Sequence, residues 1–164
     1  MTKEVRSLEK SVQLYFSEQV LKRAADAFQV PVSSLKEVGS FENYVFEGLN
    51  KFGQAVILRL THSSHRSREQ IESELDWLSF LHANEAPVCG CYPSISGELV
   101  EAIQAEDTFF YASLFEKAPG IPIKVSDASF NEELFTYWGQ TIGHLHFITK
   151  NYVKPKHIIK RHDL

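Results

Sequence analysis

The chain has 164 residues, 43% hydrophobic and 23% charged, with a net charge of −4. This suits one packed domain, or one domain with part of a second, and the acidic balance gives no general attraction to nucleic acid or anionic lipid. No apolar run approaches the roughly 20 residues that cross a bilayer, and the polar start Met1-Thr2-Lys3-Glu4-Val5-Arg6-Ser7 is no signal peptide, so a cytoplasmic protein is expected.

Leu8 to Phe28 reads as one amphipathic helix, with Leu8, Val12, Tyr15, Phe16, Val20, Ala24, Ala27 and Phe28 on or near one face. Pro31 ends it. β signals follow: Leu35–Val38, Tyr44–Leu49, a hairpin loop at Asn50-Lys51-Phe52-Gly53, and Gln54–Thr61. His62 to Ser67 is a polar loop, with His62 and His65 expected in solvent, and the basic cluster His65-Arg66-Ser67-Arg68 could meet a phosphate but reads first as a solvated helix start. The next helix, Gln70 to His82, has apolar positions at Ile71, Leu75, Leu78 and Leu81. After an irregular stretch come two more strands, Glu98–Gln104 and Thr108–Phe115, joined by Ala105-Glu106-Asp107. The expected architecture is α+β: a five-stranded, mainly antiparallel sheet with one helix packed on a face.

Cys89 and Cys91 are one residue apart, too close for an unstrained disulfide, and read as reduced thiols in a loop. Past Ala118-Pro119-Gly120 a linker leads to a long helix capped by Asn131, with Glu132 and Glu133 in its first turn. Its stripe of Phe135, Trp138, Ile142, Leu145 and Ile148 must be buried against something outside the sheet domain. His146 is expected to pack at that interface, Trp77 and Trp138 to act as packing groups, and Lys154 to Leu164 to be loose.

Three features carry chemistry. Arg59 closes an apolar strand, and Glu74 lies inside the next helix. A cation at a rigid strand end, anchored by a helix carboxylate, can hold and partly neutralise a polyanion. Taken singly, each reads as a surface arginine or an unrelated acid, and it is the order of the surrounding elements that favours the pair. Gly39-Ser40-Phe41-Glu42-Asn43 is a loop whose backbone N–H groups could cover phosphates, although one glycine alone reads as an ordinary hairpin turn. Phe115-Glu116-Lys117-Ala118-Pro119-Gly120 leaves a strand in extended form, with backbone groups able to pair with an adenine edge.

In these runs, and in Ile57-Leu58-Arg59-Leu60, Glu74 to Leu81, Pro87-Val88 with Pro93, and Gly139-Gln140-Thr141-Ile142-Gly143-His144-Leu145-His146, the chain resembles the N-terminal half of the aminoglycoside phosphotransferase and choline-kinase-like family. These are small-molecule relatives of the protein kinases. The resemblance covers nearly everything from Leu35 to Tyr152. It implies a kinase-like N-lobe at 34–118, preceded by an N-terminal helix at 1–33 and followed by a hinge and the first helix of an incomplete C-lobe at 119–164. It also implies ATP between two lobes and a small-molecule acceptor. Gly39, Ser40 and Phe41 would cover the phosphates, Arg59 would hold them with Glu74 as brace, and the backbone of Glu116 and Ala118 would face adenine. Most relatives carry lysine where this chain has Arg59, whose planar fork binds phosphate differently.

The family's catalytic loop, His-Gly-Asp with a downstream asparagine, and its metal-binding aspartate are not found in the sequence; His162-Asp163-Leu164 reads as coincidence. The expectation is therefore an ATP-binding part with no catalytic residue and no Mg²⁺ ligand of its own, inactive alone. The alternative is an inactive kinase-like interaction or regulatory module, self-associating through the exposed stripe of its last helix.

Overall fold

The computed structural model describes residues 10–40 and 42–160. Helices α1 (Lys10–Tyr15) and α2 (Glu18–Ala27) lead through a 3-10 turn at Val32–Ser34 into strands β1 (Lys36–Ser40), β2 (Asn43–Leu49) and β3 (Ala55–His62). Helix α3 (Arg68–Ala83) follows, then β4 (Cys91–Tyr92), β5 (Glu101–Ala105), β6 (Thr108–Glu116) and helix α4 (Glu132–Thr149). All the pairings are antiparallel, in the order β1-β2-β3-β6-β4, with β5 sharing the outer edge of β6.

The expected five strands are present, and a sixth joins them. β4 has only two residues, Cys91 and Tyr92, opposite Phe115 and Leu114. So short a strand has no periodicity to read; it exists only because β6 offers an edge. Glu98 to Val100 lie outside the sheet, since Ser94 N–H donates to the Glu98 carbonyl at 2.8 Å and the strand starts at Glu101.

The two faces of the sheet bury different things. Val56, Leu58 and Leu60 alternate along β3 into a core with Phe46, Phe110, Ala112, Leu114 and the α2 residues Val20, Ala24 and Ala25. Each of the Val, Leu and Phe side chains among these contributes about 1.5–3 kcal/mol on burial. On the opposite face, α3 sets Ile71 and Leu75 against Val100, Tyr111 and Phe115. Residues 57, 59, 113 and 115 belong to this second face, which is where β3 presents Arg59 toward α3.

The expected single N-terminal helix is broken. Ser17 is extended (φ −141°, ψ 162°) and its side chain caps α2 by accepting from Val20 N–H at 3.3 Å. The break turns Phe16 onto Tyr44, with ring centroids 3.8 Å apart. Burying that ring outweighs one continuous turn of helix. Leu8, where the helix was expected to start, lies outside the described residues.

α3 begins with a capping box. Ser67 Oγ accepts from Gln70 N–H, and Gln70 Oε1 accepts from Ser67 N–H at 2.9 Å. Asn131 caps α4 as expected, accepting from Leu134 N–H at 3.2 Å. The end of α4 packs on α3 rather than on something outside the sheet domain: Ile148 and Leu145 join Leu81, Ala86, Trp77 and Phe80. Trp77 Nε1 donates to Thr149 Oγ1 at 3.2 Å, and the Tyr152 hydroxyl donates to the Asp76 carboxylate. Residues 154–160 are anchored instead of loose, with Ser73 Oγ donating to the Ile159 carbonyl at 3.1 Å and Ile158 buried. His146 is exposed, not packed. Phe135, Trp138 and Ile142 stay 48%, 45% and 53% exposed, so most of the stripe is open.

His62 reverses its expected setting. It is the last residue of β3 and is buried, next to Tyr15 and Phe110. Ser64 N–H donates to Nδ1 at 3.2 Å, so the ring proton belongs on Nε2, which donates to Thr108 Oγ1 at 3.0 Å. Burial and the nearby His65 hold its pKa below the ordinary 6.5. A base with a depressed folded pKa stabilises the fold while neutral; that contribution is complete above pH 6.5 and is lost as pH falls through the folded value. Urea unfolding at a series of pH values is therefore expected to lose less stability between pH 6.5 and 5 in His62→Gln than in the parent chain. Equal slopes would contradict it.

Candidate functional site

One cross-strand row runs through the candidate site. Gly39 pairs with Val45, Val45 with Arg59, and Arg59 with Ser113, across β1, β2, β3 and β6. Strands lie about 4.8 Å apart, so the Gly39 backbone is about 10 Å from that of Arg59. Gly39 and Ser40 are the last two residues of β1 rather than a free turn, and β1 slips register between Glu37 and Gly39. Phe41 lies outside the described residues. Glu42 is fixed from the other side, its carbonyl 2.9 Å from His65 Nδ1.

Arg59 and Glu74 meet. Arg59 Nη1 donates to Glu74 Oε1 at 2.8 Å, and the guanidinium carbon lies 4.8 Å from the Phe115 ring centroid. Both side chains are mostly covered, 19% and 24% exposed. The second oxygen of Glu74 accepts from Arg66 Nη1. Burial alone would push the Glu74 carboxyl up, but the two guanidinium groups outweigh it and hold the carboxyl below the ordinary range. The group of three carries one net positive charge.

Two atoms here stand apart. Arg59 Nη2 and Ser113 Oγ are buried and make no hydrogen bond. Buried polar groups without partners are uncommon and cost about 1–3 kcal/mol. Here two such residues are direct cross-strand neighbours. Both groups can donate to an anionic oxygen, which is the chemistry that a phosphate-bearing ligand would require of them. Ser113 was invisible in the sequence, because nothing but the β3–β6 register places it beside Arg59. Arg66 was visible only as part of a basic cluster.

The segment after β6 is held at its root. Glu116 N–H donates to the Gly90 carbonyl at 3.0 Å, and its Oε2 accepts from Gly90 N–H at 2.9 Å. That N–H is therefore committed. Gly90 lies so close to the His82 ring and the Glu116 carboxyl that a Cβ would sit 3.1–3.2 Å from them. Lys117 N–H donates to the Ala55 carbonyl at 3.2 Å, and its ammonium pairs with Glu47 at 2.6 Å. Ala118 is exposed. Glu116 is three residues along β6 from Ser113, about 10 Å.

Cys89 and Cys91 are free thiols. Burial pushes Cys91 up to about 11, partly offset by Arg59, so it is not a nucleophile at neutral pH. Among the described residues no three His, Cys, Asp or Glu side chains are grouped to hold a metal ion. No described helix is long and apolar enough to cross a membrane.

Residues 32–162 match the model of the phosphotransferase enzyme family. The chain belongs to the phosphotransferase enzyme family. As a member of that family it is 33% identical over 151 residues to amicoumacin kinase of Bacillus subtilis (strain 168), covering 92% of this chain and 44% of that protein. A solved structure of amicoumacin kinase hAmiN in complex with AMP-PNP, Ca²⁺ and Ami superposes with a TM-score of 0.83 at 33% identity, covering 90% of this chain and 44% of the other. A microcompartment-associated aminopropanol kinase shares the fold, with a TM-score of 0.71 at 21% identity over 88% of this chain and 44% of the other. This phosphotransferase-family chain thus spans less than half the length of these relatives and is homologous to the N-terminal part of amicoumacin kinase.

Proposed function

We propose that this chain is the nucleotide-binding part of an ATP-dependent small-molecule kinase, with 34–118 as its nucleotide lobe and 119–164 as the start of a second lobe. The observation that carries this reading is the Arg59 guanidinium, fixed by Glu74 at one end and unpartnered at the other. A guanidinium held at one end by a carboxylate is already oriented, so a phosphate that displaced the atoms covering Nη2 would meet a positioned donor. Its planar fork offers a phosphate two donors where the lysine of most relatives offers a point charge. Gly39, Ser40 and Phe41 would cover the polyphosphate. With its N–H committed to Gly90, Glu116 would offer adenine its carbonyl, and Ala118 its N–H.

ATP bound here would supply the phosphoryl group; the residues of this chain would bind and orient it. No His-Gly-Asp run occurs in the 164 residues, so transfer to an acceptor would need groups from outside this chain. The amicoumacin kinase structure with AMP-PNP supports nucleotide use, and the family resemblance implies a small hydroxylated or aminated acceptor. A cytoplasmic setting belongs to the same reading.

Titrating AMP-PNP into the chain while recording amide NMR spectra is expected to shift Ser40, Arg59 and Ala118 together. Shifts confined to the α1–α2 face would overturn the reading. The exposed Phe135, Trp138 and Ile142 favour a second one, in which α4 pairs with another copy of the chain. Light scattering separates the two: a monomer at high concentration removes self-association.

A further inference from the structure

We infer that Arg66 is a positioning residue, which holds one oxygen of Glu74 so that the other meets only one end of Arg59 and leaves the far end of that guanidinium for a ligand. The inference rests on the nucleotide reading above and adds a residue to it. Arg66 stands in the loop between β3 and α3, directly before the capping box that starts at Ser67. From there its Nη1 donates to Glu74 Oε2, while Arg59 Nη1 donates to Oε1.

The geometry gives Arg66 a task. A lone arginine and carboxylate prefer a two-pronged pairing, with both terminal nitrogens on both oxygens. In that arrangement Arg59 would spend both ends on Glu74, and its charge would be matched by one full carboxylate. Sharing the carboxylate between two guanidinium groups prevents this. Arg59 contacts it through Nη1 alone, Nη2 keeps no partner, and one positive charge remains over the group. Glu74 and Arg59 are mostly covered, whereas the Arg66 side chain is 42% exposed. Arg66 therefore acts from the solvent side and need not touch a ligand.

The test compares AMP-PNP and adenosine binding to the parent chain, Arg66→Ala, Arg66→Lys and Arg59→Met, each checked by thermal unfolding. Arg66→Ala is expected to weaken AMP-PNP by about fivefold, the upper range for a partly exposed ion pair. Adenosine binding should be unchanged, and Arg66→Lys should recover most of the loss. Equal AMP-PNP affinity in the parent chain and Arg66→Ala, with a clear loss in Arg59→Met, overturns the inference alone. Equal losses of adenosine and AMP-PNP in Arg66→Ala also overturn it, by showing a purely structural role. No effect in Arg59→Met overturns the nucleotide reading and this inference together.

Discussion

Replacing Arg59 with methionine is expected to lower AMP-PNP affinity by about 10- to 100-fold, from the loss of one or two charge-assisted hydrogen bonds worth about 1.5–3 kcal/mol in all. Methionine fills the space beside Phe115 without offering a donor, so the core beneath α3 survives. Glu74 keeps Arg66 as its partner and is not left as a lone covered carboxylate. The melting temperature should therefore move little while affinity falls. Adenosine, which carries no phosphate, should bind the variant as it binds the parent. Arg59→Lys should lie between: it keeps the charge but loses the fork and the stacking on Phe115. Calorimetry of the three chains with both ligands checks all of this. A methionine variant that binds AMP-PNP like the parent would remove Arg59 from the site.

The second large effect concerns stability. Phe110 is fully buried and lies edge-on to Phe16, Tyr44 and His62. It pairs in register with His62 on β3 and Ile103 on β5. It is thus the common contact of the α1–α2 connection, the central strand and the outer edge. Phe110→Ala should cost about 3–5 kcal/mol, the transfer term plus the cavity left behind. Against a total of about 5–15 kcal/mol, that is a large share of the fold. The urea midpoint should drop sharply with little change in slope. A loss below about 1 kcal/mol would mean that the ring is not the keystone its contacts suggest.

The Arg59–Glu74 pair was legible because it rests on the order of elements. Arg59 was expected to close an apolar strand and Glu74 to lie inside the next helix; β3 runs on to His62, so Arg59 is inside the strand, and the two side chains meet. Asn131 was legible because a cap has a local chemical cause. What escaped depends on pairing between distant segments. β4 is a strand only through Phe115 and Leu114, and Ser113 matters only through its register with Arg59. The break at Ser17 follows from what Phe16 finds on Tyr44, which outweighs helical periodicity. His62 was placed in solvent because polar neighbours surround it in sequence; in space Phe110 and Tyr15 do. The tail past Lys154 looked loose by composition, yet backbone carbonyls there accept from Ser73 and Lys154.

The proposed nucleotide site requires the far end of Arg59 to meet phosphate oxygens. A crystal structure of the chain grown with AMP-PNP tests it most directly. A phosphate oxygen is expected about 3 Å from an Arg59 terminal nitrogen, with Glu74 still held by Arg66. A nucleotide bound elsewhere on the molecule, with the Arg59 Nη2 and Ser113 Oγ atoms as unpartnered as before, would contradict it.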